Sequence, residues 1–198
     1  MPRSAPSFSL AVSPVLCIFA ALMLLVLPLQ WVVAAAAAAA FHEFCHYFAV
    51  RIMGYQIFMI RIGFGGAVME TEAMTPSGEL ICALAGPLGA LLLLLCVRWL
   101  PRVAVCAAAQ SIYNLLPVYP LDGGRALHCC SMLLSAPWLH KVCVFLEFAT
   151  LILLGILGIY ATFVLKLGLL PLIIPAALYL KRKNTLQTRL RGSTIVTA

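Results

Sequence analysis

Long apolar runs, separated by short polar or proline-containing breaks, extend from near the N-terminus to Leu180. Each of the longer runs approaches the roughly 20 residues that a helix needs to cross the hydrocarbon core of a bilayer. The pattern therefore predicts an all-α polytopic membrane protein with about six transmembrane helices. The predicted spans cover about 9–28, 31–53, 79–100, 103–116, 142–165 and 167–180, and the fourth is the weakest. In the third span, the small residues of Ala85-Gly86-Pro87 predict close helix packing.

The first apolar run also looks like a secretory signal, because Arg3 precedes it and an alanine tract follows it. Cleavage after that tract would leave a chain that begins near Phe41 and is still almost entirely apolar. A retained first spanning helix is the simpler prediction. A turn between Pro28 and Trp31 then leads into the second span.

Between the second and third spans, the pattern changes to YQIFMIRIGFGGAVMETEAM, two strand-like pieces broken at Phe64-Gly65-Gly66. Short alternating runs around a glycine break predict a β-hairpin, here a membrane-associated one from about Gln56 to Thr71. A plain loop is the alternative. In the functional interpretation, one edge of the hairpin pairs with an extended substrate through backbone hydrogen bonds.

Composition supports the membrane assignment and narrows the partners. Of the 198 residues, 64% are hydrophobic and 10% are charged, which excludes an ordinary soluble domain. The net charge of +7 does not indicate nucleic-acid binding, because the basic residues are spread among short loops and a C-terminal cluster. Their distribution over six spans predicts that both termini are cytoplasmic. The eight cysteines contain no CxxC pair and predict no disulfide framework.

The most informative stretch is FHEFCHYFAV, Phe41 to Val50. On a helix, His42 and His46 lie one turn apart on the same face, close enough to bind one metal ion, and Glu43 is placed to take a proton from a bound water. An HExxH pattern also arises by chance in many helices. Ionisable groups inside an apolar span are costly, however, so a functional role is the expectation here.

A zinc ion held by two imidazoles needs a third protein ligand and an open position. The stretch NLLPVYPLDGG, Asn114 to Gly124, cannot form an uninterrupted helix, because its prolines and glycines favour irregular backbone. A carboxylate there is costly unless it is paired or bound to metal, so Asp122 is predicted as the third ligand. Glu147 is the remaining candidate, with pairing to Lys141 or a polar groove as its alternative roles. His128 is interpreted as a residue supporting the ligands or as an unrelated interfacial histidine.

The motifs HEFCH, FGGAVME, AGPL and NLLPVYPLDGG, in this order, resemble the site-2 protease family of intramembrane zinc metalloproteases over roughly residues 10 to 182. The nearest likeness is to the sporulation-type members that process pro-sigma-K. The resemblance implies one zinc ion per chain, bound by His42, His46 and Asp122, with Glu43 as catalytic acid/base. It also implies a membrane-anchored protein substrate within the lipid bilayer, with regulatory membrane proteins as further partners. The predicted substrate-binding residues are Asn114, Gly65, Gly66 and Pro120.

The chain departs from the family in two places. Many relatives carry a PDZ domain or a C-terminal CBS domain, whereas one transmembrane domain at 1–182 and a short basic cytoplasmic tail at 183–198 are predicted here, without either. Gly89 and Ala90 stand where relatives often have an asparagine after the AGP element.

Three alternatives come from other classes. A catalytically silent metal-binding scaffold or chaperone would not need Glu43. A metal transporter would be expected to show several acids or histidines along successive helices, and often internal repeats. The membrane prenyl-protein proteases also place such a motif in lipid, but Asp122 in its PLDGG break matches them poorly. The sequence therefore favours an intramembrane zinc metalloprotease.

Overall fold

The computed structural model describes residues 9–12, 14–63, 66–166 and 168–190. Helices dominate, as the apolar runs predict, and the chain divides into two compact units, one ending at Asn114 and the other beginning at Leu115. The first unit contains α1 (Pro14–Val26), α2 (Leu29–Ile52), α3 (Pro76–Leu91), a 3-10 helix (Leu92–Cys96) and α4 (Pro101–Asn114). The second contains α5 (Asp122–Leu133), α6 (Pro137–Phe163) and α7 (Leu170–Leu190).

The predicted β-hairpin between α2 and α3 is confirmed. Its strands are β2 (Ile57–Gly63) and β3 (Gly66–Thr71), which pair antiparallel with a register shift between Ile57 and Met59. Arg61 and Glu70 lie diagonally across the two strands and form an ion pair of 2.9 Å, as neighbours on one face of a sheet can.

A third strand corrects the predicted first span. Residues Ser9–Val12 form β1, which pairs parallel with β2, so the sheet order is β1-β2-β3. The first helix therefore begins at Pro14 rather than at residue 9 and has 13 residues. Proline suits the first turn of a helix, where its missing N–H is not needed, and the apolar residues before it satisfy a strand as well as a helix.

Small side chains form the core of the first unit. Ala38 of α2, Ala90 of α3 and Ala107 of α4 are fully buried and form one cluster. Because an alanine side chain is a single methyl group, three helices can approach closely at this point. The alanine tract that imitates a cleavage signal thus provides a packing face.

Three helices of the described part of the chain are long and apolar enough to cross a membrane: Leu29–Ile52, Pro76–Cys96 and Trp138–Phe163. They correspond to the second, third and fifth predicted spans. The total of six spans and the cytoplasmic placement of the termini stay predictions.

The second unit packs around Val118, Leu121, Leu151 and Leu178. Helix α7 does not end at Leu180, as the sequence predicted, but continues to Leu190 with Pro175 inside it. Charged residues after Leu180 do not stop a helix, because lysine and arginine are good helix formers. The predicted tail therefore begins as helix, and its residues 191–198 lie outside the described residues.

Candidate metal centre

Two imidazoles meet on one face of α2. His42 and His46 are each 2% exposed, and their Nε2 atoms are 3.1 Å apart. The rings lie edge to face, with centroids 4.7 Å apart and an interplanar angle of 81°. Two nitrogens bound to one tetrahedral zinc at 2.0–2.1 Å would be about 3.3 Å apart. The pair is therefore already close to the spacing that a shared metal ion requires.

The orientation of His46 is fixed by helix α3. Its Nδ1 lies 2.7 Å from the carbonyl oxygen of Cys82. A carbonyl only accepts hydrogen bonds, so Nδ1 carries the proton and donates it. In the neutral ring, Nε2 then keeps its lone pair and faces His42, which is the arrangement that metal-binding histidines use.

A glycine makes room for that imidazole. Gly86 of α3 packs directly against His46, and a Cβ atom built on it would collide with Nε2 and lie 2.6 Å from Cδ2. The adjoining Pro87 has no N–H to donate to Ala83. The Ala85-Gly86-Pro87 element, which the sequence suggested only for helix packing, thus lies against a candidate ligand.

Asn114, the last residue of α4, is near the other imidazole. Its Nδ2 is 3.4 Å from His42 Nε2, and the residue is half-buried. Helix α4 packs against α2 within the first unit. The predicted substrate-binding asparagine therefore lies beside the candidate metal ligands.

Glu43, the candidate base, is half-buried on the flank of the histidine pair. The first residue of β3, Gly66, is close to it: a Cβ atom on Gly66 would lie 3.0 Å from Glu43 Oε1. Gly66 also has a φ of +106°, in the region that favours glycine. Of the two predicted substrate-binding glycines, Gly66 is thus next to Glu43, and Gly65 lies outside the described residues.

Asp122 is the first residue of α5 and is 6% exposed. The break between α4 and α5 is confirmed over 115–121. The expectation of irregular backbone at Gly123 and Gly124 is wrong, because both lie in the helix. They are glycines for a different reason: a Cβ atom on either would collide with the backbone of the preceding loop, at Leu115 and at Tyr119 respectively.

A buried arginine accompanies this carboxylate. Arg125 is 2% exposed and, one turn after Asp122 on α5, its guanidinium lies 3.9 Å from Asp122 Oδ1. An oppositely charged partner at this distance offsets part of the cost of burying a carboxylate. Sequence reasoning did not identify Arg125, although its position in the LDGGR run was a usable signal.

His42, His46 and Asp122 are the group of three potential ligands that the described residues bring together, with donor atoms all within 4.8 Å of one another. Two imidazoles and one carboxylate are a donor set that catalytic zinc sites use, and three protein ligands leave a position open. The buried group is therefore able to bind a metal ion, and zinc fits its donors.

The other predicted residues have separate environments. Pro120 is buried in the 115–121 loop. Glu147 pairs with Arg182 rather than with Lys141, at 2.9 Å. His128 lies against His140, with ring centroids 5.8 Å apart.

By sequence, the chain matches no protein-family model and no curated protein. By structure, it is similar to a solved chain described as "Site-2 Protease from Methanocaldococcus jannaschii", with a TM-score of 0.64 and 16% identity. The match covers 92% of this chain and 93% of the other. At this identity the likeness establishes a shared fold, and it extends over nearly the whole chain.

Proposed function

We propose that this protein is an intramembrane zinc metalloprotease of the site-2 protease type, which hydrolyses peptide bonds of membrane-anchored proteins. The observation that carries the proposal is the buried group of His42, His46 and Asp122, with Glu43 next to one of the imidazoles in sequence. The fold similarity to a site-2 protease supports it. The motif resemblance points to the same activity.

His42, His46 and Asp122 would hold the zinc ion, leaving a position open. Zinc bound there would polarise a carbonyl group and lower the pKa of a water molecule to about 7. Glu43 would accept a proton from the attacking water and pass it to the departing amine, as a general acid/base does. Arg125 would lie beside Asp122 as its oppositely charged partner.

A substrate strand would be bound by the sheet of the first unit. The sheet order is β1-β2-β3, so among the described residues β1 and β3 each have one outer edge that pairs with no other strand. Because β3 begins at Gly66, beside Glu43, a peptide added along β3 would run toward the candidate base. A transmembrane helix must unwind to be cleaved, since its carbonyls are engaged in its own hydrogen bonds, and a strand edge offers replacement partners.

The finer assignments follow from the motif resemblance. The first substrate to test is a membrane-anchored transcription-factor precursor of the pro-sigma-K kind, and regulatory membrane proteins are expected partners. From the distribution of basic residues, we also propose that both termini face the cytoplasm.

The test is Glu43→Gln in the purified full-length chain, incubated with a membrane-anchored substrate. We expect cleavage to fall by about 100-fold or more, while zinc content stays at that of the unmodified protein, because Glu43 is not a ligand. Glu72→Gln is the matched control: it makes the same chemical change just after β3 and keeps an oxygen to accept the Gln56 N–H, whose nitrogen lies 3.0 Å from Glu72 Oε1.

Cleavage by Glu43→Gln at the unmodified rate would exclude this mechanism. Zinc binding without cleavage by the unmodified protein, across a panel of candidate single-span substrates, would favour a silent metal-binding scaffold.

A further inference from the structure

A second carboxylate, which is half-buried, lies in the second unit. Glu147 is on α6, inside a segment long and apolar enough to cross a membrane, and its side chain is 13% exposed. Such a group is costly within an apolar span and is a functional candidate by default. The proposed reaction gives it no role.

An arginine from α7 holds one oxygen of this carboxylate. Arg182 approaches Glu147 Oε2 with both Nε and a terminal guanidinium nitrogen, each at 2.9 Å. The guanidinium also lies 4.6 Å from the centre of the Phe148 ring, in a cation–π arrangement. With its charge paired and its position fixed, Glu147 directs its other oxygen away from Arg182.

That other oxygen meets the loop before Asp122. Glu147 Oε1 accepts a hydrogen bond from the backbone N–H of Tyr119, at 3.3 Å. Within the loop, the N–H of Leu121 donates to the carbonyl of Val118 at 2.9 Å. The carboxylate therefore connects α6 and α7 to a short, internally bonded loop that ends three residues later at Asp122.

We propose that Glu147 is a positioning residue for Asp122, and that Arg182 orients it for this purpose. This inference rests on the proposed role of Asp122 as a zinc ligand. Residues that orient metal ligands through hydrogen bonds commonly change metal affinity 10–100-fold when they are removed. Here the connection runs through the backbone of the 115–121 loop.

A purely structural role is the competing explanation. The ion pair would then only join α6 to α7, and apolar side chains of similar size would do this at least as well. What apolar side chains cannot supply is an acceptor for the Tyr119 N–H. The two roles therefore differ in whether an acceptor at position 147 matters once the charges are gone.

Two double variants separate these roles. Glu147→Gln with Arg182→Met removes both charges and keeps an acceptor for the Tyr119 N–H. Glu147→Leu with Arg182→Met removes both charges and the acceptor. Neither leaves an unpaired buried charge, and glutamine and leucine are of similar size. Zinc affinity would be measured by competition with a chelator, and hydrogen exchange of the Val118, Tyr119 and Leu121 N–H groups would be measured on zinc-free protein.

We expect the leucine double variant to bind zinc about 10-fold more weakly than the glutamine one, with faster exchange at Tyr119. Equal zinc affinities of the two double variants would overturn the inference. If the unmodified protein binds no zinc, the proposed function fails, and the exchange comparison still tests the connection between Glu147 and the loop.

Arg182→Met alone is the second comparison if the leucine variant does not fold. It keeps the acceptor and removes the group that orients it. Exchange at Tyr119 faster than in the unmodified protein is the expected result, and unchanged exchange overturns the assignment of Arg182.

Discussion

Gly86→Ala tests whether the packing of α3 against His46 determines metal binding. The added Cβ atom would lie 2.6 Å from His46 Cδ2, about 0.8 Å inside the 3.4 Å at which ordinary van der Waals contact begins. The ring cannot turn away easily, because Nδ1 is hydrogen-bonded to the carbonyl of Cys82 at 2.7 Å. The imidazole must shift, the helices must separate, or both.

The expected loss follows from the size of that shift. Metal–ligand distances tolerate about 0.2 Å, and a displacement of about 0.8 Å exceeds this several times. We expect zinc affinity to fall on the order of 100-fold, which corresponds to about 2.7 kcal/mol. The stability of the zinc-free protein should change less, because overpacking costs about 1–3 kcal/mol and alanine is better than glycine in a helix by about 1 kcal/mol.

Gly155→Ala is the matched control. It makes the same change inside α6, where an added Cβ atom meets nothing within 4 Å, so it should keep zinc affinity and raise stability slightly. Chelator competition and thermal unfolding of the zinc-free protein in detergent are the measurements. Zinc affinity of Gly86→Ala within about threefold of the unmodified protein would refute the argument.

Three further predictions use the same assays. Gly66→Ala should lower proteolysis at least about 10-fold and leave zinc affinity unchanged, because a non-glycine residue at a φ of +106° costs about 1–3 kcal/mol beside the candidate base. Gly63→Ala, whose Cβ meets nothing within 4 Å, should not lower proteolysis. Ala90→Leu should destabilise the first unit by about 1–3 kcal/mol or more by overpacking the buried alanine cluster, and Ala109→Leu, on an exposed position of α4, should be nearly neutral. Asp122→Asn should weaken zinc binding at least about 10-fold, because a neutral amide is a poorer ligand than a carboxylate, and an unchanged affinity would remove this residue from the ligand set.

The parts of the candidate site that depend on spacing along the chain could be predicted from sequence. The i, i+4 relation of His42 and His46 follows from helix geometry alone. The break before Asp122 follows from its prolines. The hairpin follows from alternation around glycines. Each of these signals is local and needs no knowledge of neighbouring elements.

The parts that depend on which elements meet could not be predicted. The sequence predicts only helix packing for Gly86, and its role beside His46 becomes evident only when α3 is placed against that residue. The sequence predicts a loop at Gly123, and only the structure shows that the preceding backbone occupies the space that a Cβ atom would need. Three of the four residues of β1 are apolar, like the helix that follows, and only their pairing with β2 makes them a strand.

Separate sets of contacts position the candidate ligands, and their independence can be tested. His46 depends on the Cys82 carbonyl and the space at Gly86, whereas the loop before Asp122 depends on Glu147. These two sets of contacts share no residue. The losses in zinc-binding free energy caused by disrupting each set should therefore add to within about 0.5 kcal/mol. Gly86→Ala combined with the leucine double variant at 147 and 182 should then bind zinc on the order of 1,000-fold more weakly than the glutamine double variant. If the combined loss of zinc-binding free energy were no larger than that of Gly86→Ala alone, both changes would disrupt one common structure, and the two sets of contacts would not be independent.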